Sequence, residues 1–350
     1  MKRCDVFEFF KDRYPPESCP ALAAQRAAWA KHRPLEGLTI LDGTPLFCNT
    51  LLKQACLLAG GADVWAGTGP TMPFDSEALK LLPQFGIGSP SPERLAHGFD
   101  AILDCAGAFA DIPSRLGYAE LTRSGASVYA DKAAPVLLTD AGRIKRFETA
   151  LGTGDGLVRA LEQLNLRPLN GSHVLVVGCG KVGGGILFRC LRAGAHPTAA
   201  GLARDKSPGN LPFVSVEDRD AFTQAVEDAD IIITATGVRH ALRPWIDGAV
   251  LNRCHALLAN MGVEDEFGPE VREDRVLNRK RPLNFILNDP TRIDYIDPTM
   301  ALHNAALLRL LSNVPNGIHP PTPDEEAPIL NTLPRPLLQE LDDFEAFYFG

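Results

Sequence analysis

The chain has 350 residues, of which 45% are hydrophobic and 22% charged, with a net charge of −8. These are globular values, the length suits two cores, and an acidic balance with no basic block excludes a nucleic-acid partner. Eight cysteines without a CxxC pair and eight histidines without HxH or HxxxH spacing exclude a disulfide frame and give no pattern for a metal.

The N-terminal stretch MKRCDVFEFFKDRYPP carries charges inside its short apolar run, which excludes a signal peptide. No segment reaches the roughly 18 uninterrupted apolar residues of a membrane span, so a cytoplasmic protein is expected. LTILDG (38–43) reads as a buried strand, CNTLLKQACLLAGG (48–61) as a helix stopped by glycine, and ADVWAG as the next strand. FDAILDCAG (99–107) is a third strand and ASVYAD (126–131) a fourth, so the first half is already an open α/β sheet. ETALGTGDGLVRALEQLNL opens as a loop and turns helical from about Gly154. The strand VLVVG follows, then the helix VGGGILFRCLRAGA, then strands in DADIIITATG (228–237), HALLANMG (255–262) and NFILND (284–289). From 299, TMALHNAALLRLLSN has helical apolar spacing, and the acidic, proline-rich tail ends in a brief helix.

The stretch VLVVGCGKVGGG sets Gly178, Gly180 and Gly183 as G-x-G-x-x-G between a strand and a helix. The first glycine permits the tight turn, the second lets backbone approach a pyrophosphate, and the third lets helix and strand pack closely. The helix N-terminus then faces the phosphates. In this context the motif points to a bound dinucleotide. The acid expected at the end of the second strand is missing: Gly201 stands there, in HPTAAGLARDK. Arg204 is either a 2′-phosphate ligand, favouring NADP, or a solvated loop residue, and one loop position leaves NAD ahead.

The order of these parts resembles S-adenosylhomocysteine hydrolase from about residue 38 to 320. FETALGTGDG matches the segment before that family's nucleotide-binding strand, and GCGKVGGG matches its glycine loop. TATG (234–237), ANMG (259–262), DPT (297–299) and PNGIH, ending at His319, match four later motifs in order. The resemblance implies an α/β protein of two Rossmann-like open parallel-sheet domains, the NAD-binding domain inserted in the substrate domain. The expected boundaries are 1–150 and 299–350 for the substrate domain and 151–298 for the NAD domain. It also implies a retained NAD that oxidises a nucleoside's ribose hydroxyl. The ketone acidifies the neighbouring C–H, which an ordinary side-chain base can then remove. A group leaves the exocyclic carbon, water adds, and the ketone is reduced again.

Carried over residue by residue, the cofactor set is Thr122, Ser124, Thr153, Gly178, Gly180, Lys181, Val182, Gly183, Arg204, Thr236, Gly237, Val238, Asn260, Met261, Gly262 and Asp289. The substrate side departs from the family. Its catalytic His is Val263, the second Asp of its L-D-D-G-G is Cys105, its catalytic Glu is Leu121, and its C-terminal extension has no match. The candidates left are Asp104, Cys105, Lys145, Glu148 and His303 for catalysis, and Asn49, Thr149, Glu264 and Asp297 for substrate. Five of them have a plainer reading: Lys145 and Glu148 as a surface pair, Cys105 as a small core residue, His303 as a helix-face histidine, Asp297 as a helix cap. A kept cofactor side with a rewritten substrate side puts net dehydration of a nucleoside, of the angustmycin type, first. Hydrolysis of a thioether nucleoside, a plain NAD(P) dehydrogenase and a non-catalytic NAD-binding regulator remain as alternatives. A homodimer or higher homo-oligomer is expected on base rates.

Overall fold

The computed structural model describes residues 4–69, 73–166, 169–202 and 207–350. The strands are β1 (Thr39–Asp42), β2 (Asp63–Ala66), β3 (Phe99–Asp104), β4 (Ser114–Glu120), β5 (Pro135–Leu138), β6 (His173–Val177), β7 (His196–Gly201), β8 (Phe213–Ser215), β9 (Ile231–Thr234), β10 (Leu257–Asn260) and β11 (Gly317–His319). The helices are α1 (Val6–Phe9), α2 (Pro20–His32), α3 (Thr50–Ala59), α4 (Ser76–Phe85), α5 (Pro92–Ala96), α6 (Arg123–Val128), α7 (Thr153–Gln163), α8 (Lys181–Arg192), α9 (Arg219–Asp228), α10 (Gly248–Arg253), α11 (Ile293–Leu310), α12 (Pro323–Leu330) and α13 (Arg335–Phe349). Two compact units result: Met1–Lys145 with Ile293–Pro334, and Arg146–Arg292 with Arg335–Gly350.

The first unit carries a six-stranded parallel sheet in the order β11-β5-β4-β3-β1-β2. Its strands are short apolar runs buried on both faces, as parallel sheets covered by helices require. The chain goes from β1 to β2 and then back across β1 to β3. The C-terminal ends of β1 and β3 therefore form a topological switch point, where open α/β sheets bind ligands. The second unit is a five-stranded parallel sheet, β10-β9-β6-β7-β8, with its switch point between β6 and β9. Two apolar clusters fill its faces, one around Val176, Ile186 and Ile233, the other around Val177, Phe222 and Ile232.

Five expectations are corrected. ASVYAD is no strand: the Thr122 hydroxyl accepts from Gly125 N at 3.1 Å and starts α6 there, a cap outweighing β-branched content. The strands of that region are β4 and β5, both interior to the sheet. NFILND holds a short 3₁₀ turn, Leu283–Ile286, after Pro282. The predicted loop at 147–152 is wound as a π turn that runs straight into α7, a geometry frequent at functional sites. The return helix begins at Ile293 rather than 299 and carries Pro298 within it. Finally, α13 is a 15-residue helix that belongs to the second unit, not to a completed first domain. Its Phe344 packs edge-on against Phe188 of α8, with ring centroids 5.6 Å apart.

Candidate functional site: a dinucleotide cradle and a rewritten crevice

The glycine loop sits at the switch point of the second unit. Gly178 has φ +106°, and a Cβ there would lie 2.6 Å from the Ala235 carbonyl oxygen at the end of β9. A Cβ on Gly183 would fall 1.7 Å from the Gly178 oxygen, so that glycine lets α8 close onto β6. Gly180 differs: a Cβ there meets nothing within 4 Å among the described residues. Two glycines thus serve the chain's own packing, and the middle one faces open space, as a cradle for a pyrophosphate needs. Lys181 and Val182, half-buried, open α8 beside it. Arg204 lies outside the described residues.

Several expected cofactor residues do other work. The amides of Thr236 and Gly237 donate to the Glu266 carboxylate at 2.9 and 2.7 Å, and the Thr236 hydroxyl accepts from Val238 N at 3.1 Å. Glu266 is fully buried, and burial raises its pKa against those hydrogen bonds. Asn260 is equally buried. Its amide donates to the carbonyls of Gly262, Glu264 and Lys280, and its oxygen accepts from Thr234 and Gly262. Met261 is core. Gly262 is required because a Cβ would sit 1.9 Å from Glu266 Oε1. These residues therefore build the turn after β9 and β10 rather than present free donors. Val238 remains exposed. Thr153 donates to the Glu148 carbonyl at 3.3 Å, and the Asp289 carbonyl accepts from Arg159 at 3.1 Å. Thr122 and Ser124 belong to the first unit, where the Thr122 hydroxyl serves Glu120 and α6.

In the first unit the acids at strand ends bond to the chain's own groups. Asp104 has no exposed surface; it accepts from the amides of Cys105 and Phe109 and, at 2.5 Å, from the Tyr129 hydroxyl. Burial lifts its carboxyl to about 6. Glu120 accepts from the amides of Ala106, Gly107 and Thr122. Both acids hold the turn after β3. Asp297, expected to bind substrate, caps a distant helix: its two oxygens accept from Ala21 and Leu22 at 2.8 Å each, at the start of α2. Burial raises that carboxyl to about 7.

His303 is wholly buried, its Nε2–H donating to the Ala119 carbonyl at 2.8 Å, and its Nδ1 meets no partner among the described residues. Burial, aided by the charge of Lys53, lowers its pKa to about 3, so the ring is neutral. Asn49, Cys105 and Lys145 are buried in the same unit. Glu148 and Thr149 are half-buried on the π turn, and Glu264 is exposed beside Val263, which is 82% exposed. Asp265 caps its own turn at Phe267 and Gly268, and His319 donates to the Pro315 carbonyl.

Sequence reading missed the pair at the switch point itself. Asp42 ends β1, and its Oδ1 accepts from Lys53 Nζ at 2.8 Å with both side chains fully buried. Burial pushes the Lys53 amine down against the pull of Asp42, while Lys53 holds the Asp42 carboxyl below its usual value against burial. Among the described residues Asp42 Oδ2 has no partner. The signal was present as a charge closing an apolar strand, and a second inside an otherwise apolar helix. Phe109 stands beside this pair: a Cβ on Gly43 or Gly67 would meet its ring at 2.4 or 2.5 Å. Elsewhere Cys48, Asp75 and Glu77 bring ligand-type atoms within 4.8 Å of one another. Burial pushes the Cys48 thiol up to about 12, and Asp75 caps α4 through Glu77 N. Among the described residues no helix is long and apolar enough to cross a membrane.

The family model NAD_binding_7, described as NAD(P)-binding, matches residues 166–261. The second unit is an NAD-binding domain. The chain is similar to the S-inosyl-L-homocysteine hydrolase of Methanopyrus kandleri, at 29% identity over 79% of this chain and 71% of that protein. It is also similar to the adenosylhomocysteinase of Thermoplasma acidophilum, at 25% identity over 79% of this chain and 73% of that one. Among solved structures, a dipicolinate synthase from Bacillus halodurans aligns with a TM-score of 0.48 and 11% identity, over 80% of this chain and 99% of that one.

Proposed function

We propose that this chain is an adenosylhomocysteinase-like enzyme that retains NAD and acts on a nucleoside, with net dehydration at the exocyclic carbon as the reaction. What supports the reading is the open cradle at Gly180 in the second unit, with the acids Asp104 and Glu120 of the first unit bonded to backbone amides. The similarity to two nucleoside–homocysteine hydrolases supports a nucleoside as the substrate class.

The chemistry a bound NAD supplies is acceptance of a hydride from a sugar carbon and its return at the end of the cycle. The glycine loop, with the start of α8, holds the phosphates by backbone donors and the helix dipole. The ketone formed on the sugar lowers the acidity barrier of the adjacent C–H, and a side-chain base takes that proton. Lys145 and Glu148 are the acid–base candidates, with Cys105 beside β3. The leaving hydroxyl departs as water with a donated proton, so the product is the nucleoside less one water and NAD is unchanged. A second reading, hydrolysis of a thioether nucleoside, is favoured by the 29% similarity to S-inosyl-L-homocysteine hydrolase. There a thiol leaves and water takes its place.

The test is mass spectrometry of adenosine, inosine and S-inosylhomocysteine incubated with the holoenzyme in deuterated water. The expected result is loss of one water from a nucleoside, with deuterium in recovered substrate. Release of homocysteine instead selects the second reading. Stoichiometric free NADH with no C–H exchange overturns both.

A further inference from the structure

The last helix of the chain touches the dinucleotide loop directly. The Tyr348 hydroxyl donates to the carbonyl of Cys179, between Gly178 and Gly180, at 2.9 Å. The ring of Tyr348 lies on α8 at Gly184, where a Cβ would be 2.3 Å from its Cε2. Gly184 is outside the G-x-G-x-x-G spacing, so the phosphate turn does not account for it; the ring does.

The helix is fastened along its length. Arg189 pairs with Glu340 at 2.9 Å, Arg192 with Asp343 at 3.4 Å, and Arg146 with Glu345. Phe188 is enclosed by Phe344 and Phe347, and Phe344 stacks on Tyr348 with centroids 5.4 Å apart. Tyr348 is thus delivered to one carbonyl by a rigid support.

What that carbonyl controls follows from peptide geometry. The described chain has no cis peptide, so the Cys179 C=O and the Gly180 N–H point in opposite directions across one plane. Anchoring the oxygen fixes the direction of the N–H. No acceptor among the described residues takes the Gly180 N–H, and the Gly180 Cα faces open space.

We propose that Tyr348 is a positioning residue of the NAD site: it holds the Cys179–Gly180 peptide so that the Gly180 N–H is presented to the dinucleotide phosphates. The inference rests on the NAD-binding domain and not on the reaction proposed above. Without the hydroxyl the peptide can rotate, and the donor is no longer preorganised.

The test compares Tyr348→Phe, Gly184→Ala and, as a control, Gln224→Ala, reading release of bound NAD by rapid filtration, bound-NADH fluorescence and the melting temperature of NAD-free protein. Tyr348→Phe keeps the ring in its slot. It is expected to release NAD about five-fold faster, the worth of one neutral hydrogen bond, while the loss of that bond lowers the NAD-free melting temperature by about 2–4 °C. Gly184→Ala, which displaces the ring, should release it faster still. Gln224→Ala removes an exposed contact to Asp228 on α9 and should leave release unchanged. Wild-type release from Tyr348→Phe, or equal acceleration by Gln224→Ala, overturns the assignment. So does faster release in Tyr348→Phe that disappears when the proteins are compared at the same interval below their NAD-free melting temperatures.

Discussion

His303 shows how burial converts a reactive residue into a structural one. Its Nε2–H bonds the Ala119 carbonyl, and its pKa falls from 6.5 to about 3 because the charged ring cannot be solvated there. The unfolded chain binds a proton below pH 6.5 that the folded chain refuses until about pH 3. Stability from this group is therefore full above pH 6.5 and is lost as pH falls toward 3, with a slope of at most about 1.4 kcal/mol per pH unit. His303→Asn should flatten the acid limb of stability between pH 6 and 4, read by urea denaturation at several pH values. A parallel slope in wild type and variant would contradict a neutral buried ring. Asp42 and Lys53 are a different case. They share one contact in a fully buried setting, and removing either would strand the other charge.

At the scale of elements, the glycines of α8 divide by what their missing Cβ would meet. Gly183→Ala forces an atom to within 1.7 Å of the Gly178 oxygen and should unseat α8 from β6, lowering both stability and NAD binding. Gly180→Ala meets nothing among the described residues. It should melt within a degree or two of wild type yet bind NAD at least ten-fold more weakly, measured by calorimetric titration. Equal NAD affinity in Gly180→Ala would move the phosphates away from this loop. The strands β6, β9 and β10 were legible because each is an apolar run closed by glycine or a small polar residue, a local signal, whereas the three-residue β8 was not. The helix α6 was not, since ASVYAD has strand composition and only the Thr122 cap, set by Glu120, decides otherwise. The start of α11 was hidden for a similar reason. Asp297 reads as a cap for the helix it precedes, yet it lies a turn inside that helix and caps α2.

For the whole molecule, the chain crosses between its two units after residues 145, 292 and 334. Each unit has its own sheet and core, so unfolding should proceed in two calorimetric transitions. A ligand that binds only folded protein stabilises it by about 2.7 kcal/mol at a hundred times its dissociation constant. NAD added at that level should raise the transition of the second unit. An unmoved pair of transitions in NAD-stripped protein would count against dinucleotide binding.

The sequence by itself determined the α/β class, the alternation of helices with parallel strands, and the dinucleotide loop. The reason is that turn geometry and strand burial depend on residues a few positions apart. The tertiary structure alone decided what each acid does. Asp297 meets Ala21 and Leu22, Asp104 meets Tyr129, Glu266 meets Thr236 and Gly237, and Asp42 meets Lys53. Whether a carboxylate caps a backbone or faces a ligand depends on partners that only folding brings within hydrogen-bond reach. The same holds for Tyr348, a tail residue in the sequence that the fold sets on the carbonyl between the first two glycines of the cradle.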